Sequence, residues 1–238
     1  MEYRRMIAQW MQSAYQQACS AYKSEEESTP WPSTMSRDFT FSVYLPHARF
    51  ADKRMEIPEK TVYVLFSCYD ALWGERFRQM FDRQLHQDEP FVWREDGMLL
   101  QQMRTFAQPL RMAEQIRIRF RSPLLVRDQH GGAGERYLCA QDADFQSVLT
   151  RIVQAQVQQA QLPLAWMKHF QITQSQGLRR LRVLHQGKKL RASLGTCVLL
   201  GDTRLLGYLY GAGIGSRRST GFGLFDIEKQ RDGNRCDE

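Results

Sequence analysis

The apolar residues in the first part of the chain follow helical spacing at first and strand spacing afterwards. Residues 6–18 repeat apolar positions every three or four residues, which predicts a helix with one buried face. The residues of this stripe are Met6, Ile7, Trp10, Met11, Ala14 and Ala18. After a polar loop with two prolines, apolar runs predict strands over 39–45 and 61–66 and a second helix around 77–85. A turn and at least one further strand are expected within 91–109.

In the remaining half of the chain, apolar residues again follow strand spacing in some segments and helical spacing in others. Apolar residues and arginines alternate in the clearest strand pattern of the sequence, and a glutamine-rich helix follows. The predicted elements are a strand over 116–121 continued by 122–126, a helix over 144–161, strands over 178–183 and 189–200, a short helix over 205–210 and a closing strand over 224–228. Helices and strands are thus interleaved in both halves.

This order of elements predicts the fold. Helix, two strands, helix and strand make up most of a ferredoxin-like βαββαβ unit, as in RNA-recognition-motif domains. The opening strand of the first unit is missing, so either this domain is abbreviated or the chain begins late in it. The second half repeats the theme. We therefore expect an α+β protein of two tandem ferredoxin-like domains, 1–112 and 113–238, that meet near residue 112.

Composition narrows the class of partner. The 238-residue chain has a net charge of +7 at pH 7, and arginine outnumbers lysine. Such an excess favours nucleic acid, although an acidic protein partner also fits. The five cysteines are widely spaced and form no Cys-x-x-Cys pair. We expect reduced thiols, no metal site, no cofactor, no membrane span and a cytoplasmic protein.

The most informative motif is a glycine-rich segment near the C-terminus. Residues 211–223 contain five glycines around an Arg217-Arg218 pair. A Walker loop needs Gly-Lys-Ser/Thr before a helix, and a Rossmann loop needs a following helix and a second strand. Here the segment leads directly into the alternating run 224–228. The pattern therefore indicates a loop that holds a polyanion other than a nucleotide cofactor, and a purely structural glycine hairpin is the alternative.

The order of residues in this loop resembles a known family. Ala-Gly-Ile-Gly, a serine, a basic pair, a serine and Gly-Phe-Gly precede an aliphatic strand. This order is similar to the C-terminal signature of the CRISPR-associated endoribonucleases that cut repeat RNA into guide RNAs. They form the sixth Cas family, within the RAMP superfamily of ferredoxin-like proteins. The resemblance implies cleavage without a metal: a 2′-hydroxyl attacks the adjacent phosphate and leaves a cyclic phosphate.

The resemblance also implies catalytic residues. Many members place a tyrosine on the first helix, a histidine in the following loop and a lysine before the next strand. Here Tyr15 lies on the helix and Arg37 precedes the strand, but residues 24–36 contain no histidine. Either His47 transfers protons, or arginines act without histidine, as in the type IV variant. The predicted catalytic set is Arg37, Tyr15, His47 and Arg218.

Further residues are predicted to bind the RNA hairpin. They are Arg4 and Arg5 on the first helix, Arg117, Arg119 and Arg121 along one strand face, Arg179, Arg180, Arg182, Lys188, Lys189 and Arg191 on a hairpin that turns at 186–187, and Gly213, Gly215, Ser216, Arg217, Ser219 and Gly221 in the glycine loop. Charged edge strands and solvated helix faces are the alternatives.

The predicted partners are therefore the CRISPR repeat or guide RNA hairpin and the other subunits of an effector complex, in which the protein stays bound after cleavage. Because the loop histidine is absent, a non-catalytic scaffold subunit that binds guide RNA is a second hypothesis. An unrelated RNA-binding α+β protein is a third.

Overall fold

A computed structural model describes residues 3–20, 38–51, 54–94, 96–107, 112–129 and 135–228. Its N-terminal elements are α1 (Tyr3–Ser20), β1 (Phe39–Tyr44), β2 (Arg49–Ala51), β3 (Arg54–Glu56), β4 (Tyr63–Cys68), α2 (Ala71–Leu85), β5 (Phe91–Trp93) and β6 (Asp96–Met98). Strands β1 and β4 pair antiparallel, and both helices pack against this pair through an aromatic core. The side chain of Asp70 caps α2 by accepting a hydrogen bond from the backbone N–H of Trp73 at 2.8 Å.

The C-terminal elements form a larger sheet. They are β7 (Gln115–Phe120), β8 (Val126–Asp128), β9 (Arg136–Leu138), α3 (Phe145–Gln159), β10 (Gln171–Thr173), β11 (Leu178–His185), β12 (Lys188–Leu200), α4 (Thr203–Ala212) and β13 (Phe225–Ile227). The sheet order is β10-β12-β7-β13, and β11 pairs with β12 as a hairpin arm. Elements β7, α3, β10, β12, α4 and β13 therefore form a complete βαββαβ unit.

The predicted fold class is confirmed. Apart from the small hairpins β2–β3 and β5–β6, the N-terminal half follows the order helix, two strands and helix of that unit, and no described strand precedes α1. Two tandem ferredoxin-like domains result. The division at residue 112 stays a prediction, because residues 108–111 lie outside the described part of the chain.

The prediction that the strand from residue 116 continues through 122–126 is wrong. Strand β7 ends at Phe120, Leu124 forms only an isolated bridge with Ser193, and β8 begins at Val126. Pro123 lacks a backbone N–H and cannot complete a strand ladder there. The chain instead bends at this point, and the Pro123 carbonyl accepts a hydrogen bond from the backbone N–H of Gly223 at 3.0 Å.

Hydroxyl groups of the N-terminal sheet join the two domains. The Thr40 hydroxyl donates to the carbonyl of Phe222 at 2.7 Å, and the Ser42 hydroxyl donates to that of Arg121 at 2.6 Å. Both residues are buried, and both alternate with the core residues Phe39 and Phe41 along β1. One face of β1 thus packs on its own helices, and the other face packs on the C-terminal domain.

Candidate RNA interface

The glycine loop, residues 211–223, lies in this joint between the domains. Its glycines at 213, 215, 221 and 223 all have positive φ and are buried. A Cβ atom added to Gly213 would lie 2.8 Å from Cγ2 of Thr40, and one added to Gly221 would lie 2.8 Å from the ring of Phe41. The glycines are therefore required for close contact between the loop and β1.

The backbone N–H groups of Gly213, Ile214, Gly215, Ser216, Thr220, Gly221 and Gly223 have partners inside the protein. The N–H of Ile214 donates to Gly223 at 3.0 Å, and that of Ser216 donates to Leu125 at 2.8 Å. The amide of Gln156 accepts from Gly215 at 3.0 Å and donates to the carbonyl of Gly213. An RNA contact through these N–H groups would require such bonds to break. The contact of Gly213, Gly215 and Gly221 with RNA therefore stays a prediction, while their packing role has a direct structural cause.

Arg218 forms a buried ion pair across the same joint. Its guanidinium donates to Oδ1 of Asp38 at 3.3 Å and to the carbonyl of Ala212 at 2.8 Å, with 6% of the side chain exposed. The Tyr208 hydroxyl donates to the same carboxylate oxygen at 2.8 Å. Burial raises the pKa of Tyr208 above its ordinary value, so this hydroxyl remains a donor. The predicted catalytic role of Arg218 is untested, and its visible role is to join the domains.

The other predicted catalytic residues lie in separate surroundings. Tyr15 is 4% exposed, and its ring lies 5.9 Å from that of Trp73 and 6.2 Å from that of Phe77. His47 lies in the turn after β1, where its exposed imidazole contacts the carboxylate of Glu59. Arg37 lies outside the described residues. The roles of these three residues stay predictions.

A polar cleft of about 500 Å³, here called the interdomain cleft, runs between α1, the tip of the β11–β12 hairpin and the glycine loop. Its lining residues are Arg5, Ala8, Gln9, Gln12, His185, Gln186 and Thr220. None of these residues is acidic. The structure thus brings the predicted Arg5 together with His185 and Thr220, which were absent from the predicted set.

Arg4 lies beside this cleft, against the glycine loop. Its guanidinium carbon lies 5.2 Å from the ring centre of Phe222 and 4.6 Å from that of Tyr3. Burial lowers the pKa of Arg4, and its Nε–H has no hydrogen-bond partner among the described residues. His185 packs edge-to-face on Phe222, with ring centres 5.3 Å apart. A cation that is held by aromatic rings and has no carboxylate partner among the described residues suits an anionic ligand.

The sequence did offer one signal for His185. It follows Leu181 and Val183 at strand spacing, and Val183 and His185 are buried on one face of β11. A polar residue that continues an apolar strand face is unusual and marks a candidate site. Thr220 gave no comparable signal, because its position depends on how the loop packs against α1.

The β11–β12 hairpin carries the predicted basic ribbon. In the strand register, Arg182 lies opposite Arg191, and Leu184 lies opposite Lys189. Arg182, Arg191 and Lys189 therefore lie on one face of the hairpin, together with Arg180. Asp142 offsets part of the charge: Arg191 donates to both of its oxygens at 2.8–2.9 Å. The Cys139 backbone N–H, and then Arg191, hold the pKa of Asp142 below its usual range.

Four hairpin cations have no ion pair with a described residue, and they lie on both faces of the hairpin. These are Arg179, Arg182, Lys188 and Lys189. The hairpin therefore offers uncompensated positive charge from its tip, beside the interdomain cleft, back along its length. This charge is the largest uncompensated cation group that the predicted RNA-binding set retains in the described residues.

The arginines of β7 are different. Arg117 and Arg119 share the carboxylate of Glu228 at 2.9 and 2.6 Å, and Arg121 pairs with Asp226 at 2.6 Å. The carboxylates of Asp226 in β13 and of Glu228 just after it thus offset most of the positive charge of these arginines. Glu228 has its pKa lowered by these arginines. RNA binding by the β7 row stays a prediction, and cross-strand pairing is its observed role.

Within the described residues, no three His, Cys, Asp or Glu side chains cluster in a way that could hold a metal ion. None of the described helices combines the length and apolar character needed to cross a membrane.

By fold and site, this chain is a protein of two ferredoxin-like domains with a basic hairpin and a glycine loop before the last strand. More particularly, the family described as CRISPR associated protein Cas6, C-terminal, matches residues 106–227, and the chain belongs to the Cas6 family. The family predicted from the glycine loop is confirmed, whereas the type IV variant stays a prediction. No curated protein sequence matches the chain.

Solved structures share the fold at low sequence identity. One, described as the characterization of a Cas6-related gene from Pyrococcus furiosus, has a TM-score of 0.73 and 16% identity, over 93% of this chain and 90% of its own. A second, an RAMP protein binding different RNA substrates, has a TM-score of 0.72 and 16% identity over 96% and 92%. A third, a CRISPR associated protein Cas6, has a TM-score of 0.71 and 14% identity over 96% and 92%.

Proposed function

We propose that this protein is a metal-independent endoribonuclease that binds the hairpin of CRISPR repeat RNA and cuts it to mature guide RNA. Its Cas6 family is one of CRISPR RNA processing. The observation that carries the proposal is the interdomain cleft, which has a cationic and largely polar lining, no acidic residue among the described residues that line it and a basic hairpin at its mouth. An RNA stem on the hairpin would place its base at this cleft.

The proposed reaction needs groups that hold a phosphate and move protons. A 2′-hydroxyl attacks the neighbouring phosphorus, the bond to the 5′-oxygen breaks, and a 2′,3′-cyclic phosphate and a 5′-hydroxyl result. Arg4 and Arg5 are suited to offset the charge that develops on the phosphate oxygens. Arginine is a poor base, so proton transfer is assigned to a histidine, with His185 at the cleft and His47 as the candidates. Arg37, Tyr15 and Arg218 remain in the proposed set.

A non-catalytic scaffold subunit that holds guide RNA is the second candidate. It is favoured by the separation of the predicted catalytic residues, since Tyr15 lies in the core and His47 contacts Glu59. In this case the cleft and hairpin bind RNA without cutting it. Both candidates include membership of an effector complex, in which the protein remains on its RNA.

A cleavage assay separates the two candidates. We expect purified protein to cut repeat RNA in EDTA at one position and to leave a cyclic phosphate, and a single 2′-deoxy substitution at that position should abolish cutting. Tight hairpin binding with no product would instead establish the scaffold function. Product that co-migrates with the protein in gel filtration is the expected sign that it stays bound.

Variants then assign the proton transfer. His185→Gln and His47→Gln are compared under single-turnover conditions, and the variant that removes the essential group should lose about a hundredfold or more in rate. Arg37→Ala is expected to lower the rate as well. If Arg37→Ala cuts repeat RNA at the wild-type rate, Arg37 is not one of the catalytic residues.

The hairpin charge gives a second prediction. We expect Arg182→Gln with Lys189→Gln to weaken RNA binding about tenfold or more and to reduce the dependence of log affinity on log salt, because fewer counterions are released. Arg78→Gln with Arg204→Gln removes the same charge at two exposed arginines that pair with Glu75 and Asp202. Equal losses in the two double variants would show that only net charge matters.

A further inference from the structure

A second cleft lies beside the glycine loop, bounded by α3 and β8, and is here called the α3 cleft. It holds about 290 Å³ and is walled by loop residues 215–219. Its α3 side presents the apolar side chains of Val148, Ile152 and Ala155 together with Arg151. It therefore combines an apolar wall with a charged rim, whereas the interdomain cleft has Ala8 as its one apolar residue among the described lining.

Three arginines stand at this rim and share two carboxylates. Arg127 pairs with Glu135 at 2.7 Å, and Arg217 reaches the same carboxylate at 3.7 Å. Arg151 lies 3.6 Å from Asp128. Among the described residues, these three arginines thus carry one positive charge more than the two carboxylates offset. The Nε–H of Arg127 is buried and has no hydrogen-bond partner among the described residues.

The loop side of the cleft is held in a fixed conformation. Arg217 has φ of +60°, which is rare for a residue with a side chain, and its Nε donates to the Tyr137 hydroxyl at 2.9 Å. The Ser216 hydroxyl accepts the backbone N–H of Arg127 at 3.3 Å. Strain of this kind persists only where surrounding contacts fix it. The arginine side chain is therefore pre-positioned at the rim.

These features match the chemistry of one nucleotide. An apolar wall contacts the face of a base, and arginines and serine hydroxyls bind the phosphate. A volume of about 290 Å³ is near the lower end of the range for ligand pockets and suits a single nucleotide. An acidic peptide would use the arginines but not the apolar wall, so a nucleotide is the better match.

The two clefts meet at consecutive loop residues. Ser219 lines the α3 cleft, and Thr220 lines the interdomain cleft. Neighbouring Cα atoms lie about 3.8 Å apart, which is less than the length of one nucleotide. A strand that leaves a hairpin seated at the interdomain cleft needs to cross only this edge of the loop.

We infer that the α3 cleft receives an unpaired nucleotide of the strand that flanks the repeat hairpin. The inference rests on the proposed function, because it takes the hairpin base to lie at the interdomain cleft. The α3 cleft then adds a contact to single-stranded RNA that stem recognition alone does not supply.

Binding of matched RNAs tests the inference. Dissociation constants are measured in EDTA for a 2′-deoxy-blocked repeat hairpin without flanks and for the same hairpin with five-nucleotide 5′ or 3′ flanks. One flank should tighten binding by wild-type protein about tenfold. Arg151→Glu, and Ile152→Trp to fill the cleft, should remove this gain and keep the affinity for the unflanked hairpin. Arg136→Glu is the control, because this exposed arginine of the same domain lies outside the cleft lining.

Cross-linking locates the contact without relying on a variant that folds. A flank with 4-thiouridine should cross-link to residues 145–159 or 215–219 of wild-type protein. Equal affinity for all three RNAs, together with no cross-link to these residues, would overturn the inference. Saturable binding of free AMP or UMP in equilibrium dialysis, with no flank effect, would assign the cleft to free nucleotides and also overturn it. If wild-type protein binds no repeat hairpin at all, the proposed function fails instead.

Discussion

Replacing Arg218 with alanine is expected to lower the free energy of unfolding by about 3–5 kcal/mol, because it breaks a buried ion pair and leaves one charge behind. Among the described residues, the remaining carboxylate of Asp38 keeps only the Tyr208 hydroxyl as a donor, and the Ala212 carbonyl loses the Arg218 donor. Since the pair crosses the joint between the domains, the loss should loosen the glycine loop from β1. Urea unfolding followed by tryptophan fluorescence measures the change.

Arg217→Ala is the matched control for this prediction. It removes the adjacent arginine, whose side chain is 24% exposed and donates to a tyrosine hydroxyl, so we expect a loss of about 1 kcal/mol. The thiol of Cys68 gives a second readout, because burial raises its pKa to about 12 and slows its alkylation at pH 8. Arg218→Ala should speed that alkylation. If Arg218→Ala keeps near wild-type stability but loses most of the cleavage activity, the result would contradict the structural role and support the proposed catalytic role of Arg218.

The sequence predicted the elements well where one physical cause determined them. Strand β7 alternates buried and exposed residues from Gln115 to Phe120, and its arginines occupy the exposed positions as expected. Helix α1 buries Ile7, Met11 and Ala14 at the predicted spacing. Local periodicity reports burial directly, so no long-range information was needed. The hairpin turn at 186–187 follows the same logic, because polar residues and a glycine interrupt two strand-like runs.

The function of individual site residues was less accessible to sequence. Whether a cation is free depends on acids distant in the chain: Glu228 neutralises Arg117, and Asp142 neutralises Arg191. A count of charges along β7 or β12 cannot show this. Likewise, the glycine spacing correctly indicated the family, but the partners of the loop N–H groups, such as Gln156, come from α3.

Gly213→Ala is expected to cost about 3 kcal/mol or more of folding free energy, for two reasons that add. Gly213 has φ of +77° and ψ of 171°, a backbone region that is essentially reserved for glycine. A methyl group there would also lie 2.8 Å from Cγ2 and 2.9 Å from Cβ of Thr40, and 3.2 Å from the carbonyl oxygen of Gly223. Neither β1 nor the loop can move freely, because the Thr40 hydroxyl donates to Phe222 at 2.7 Å. Thermal and urea unfolding measure the loss.

Gly187→Ala is the control that separates backbone strain from crowding. Gly187 has φ of +75°, but a Cβ added there meets nothing within 4 Å, so about 1 kcal/mol is expected. A double variant with Thr40→Ser removes Cγ2, keeps the hydroxyl and should recover part of the Gly213→Ala loss. If both glycine variants cost the same and Thr40→Ser recovers nothing, then contact between the loop and β1 does not limit stability. In that case the glycine at position 213 serves something other than packing, and RNA contact through the loop backbone becomes its leading explanation.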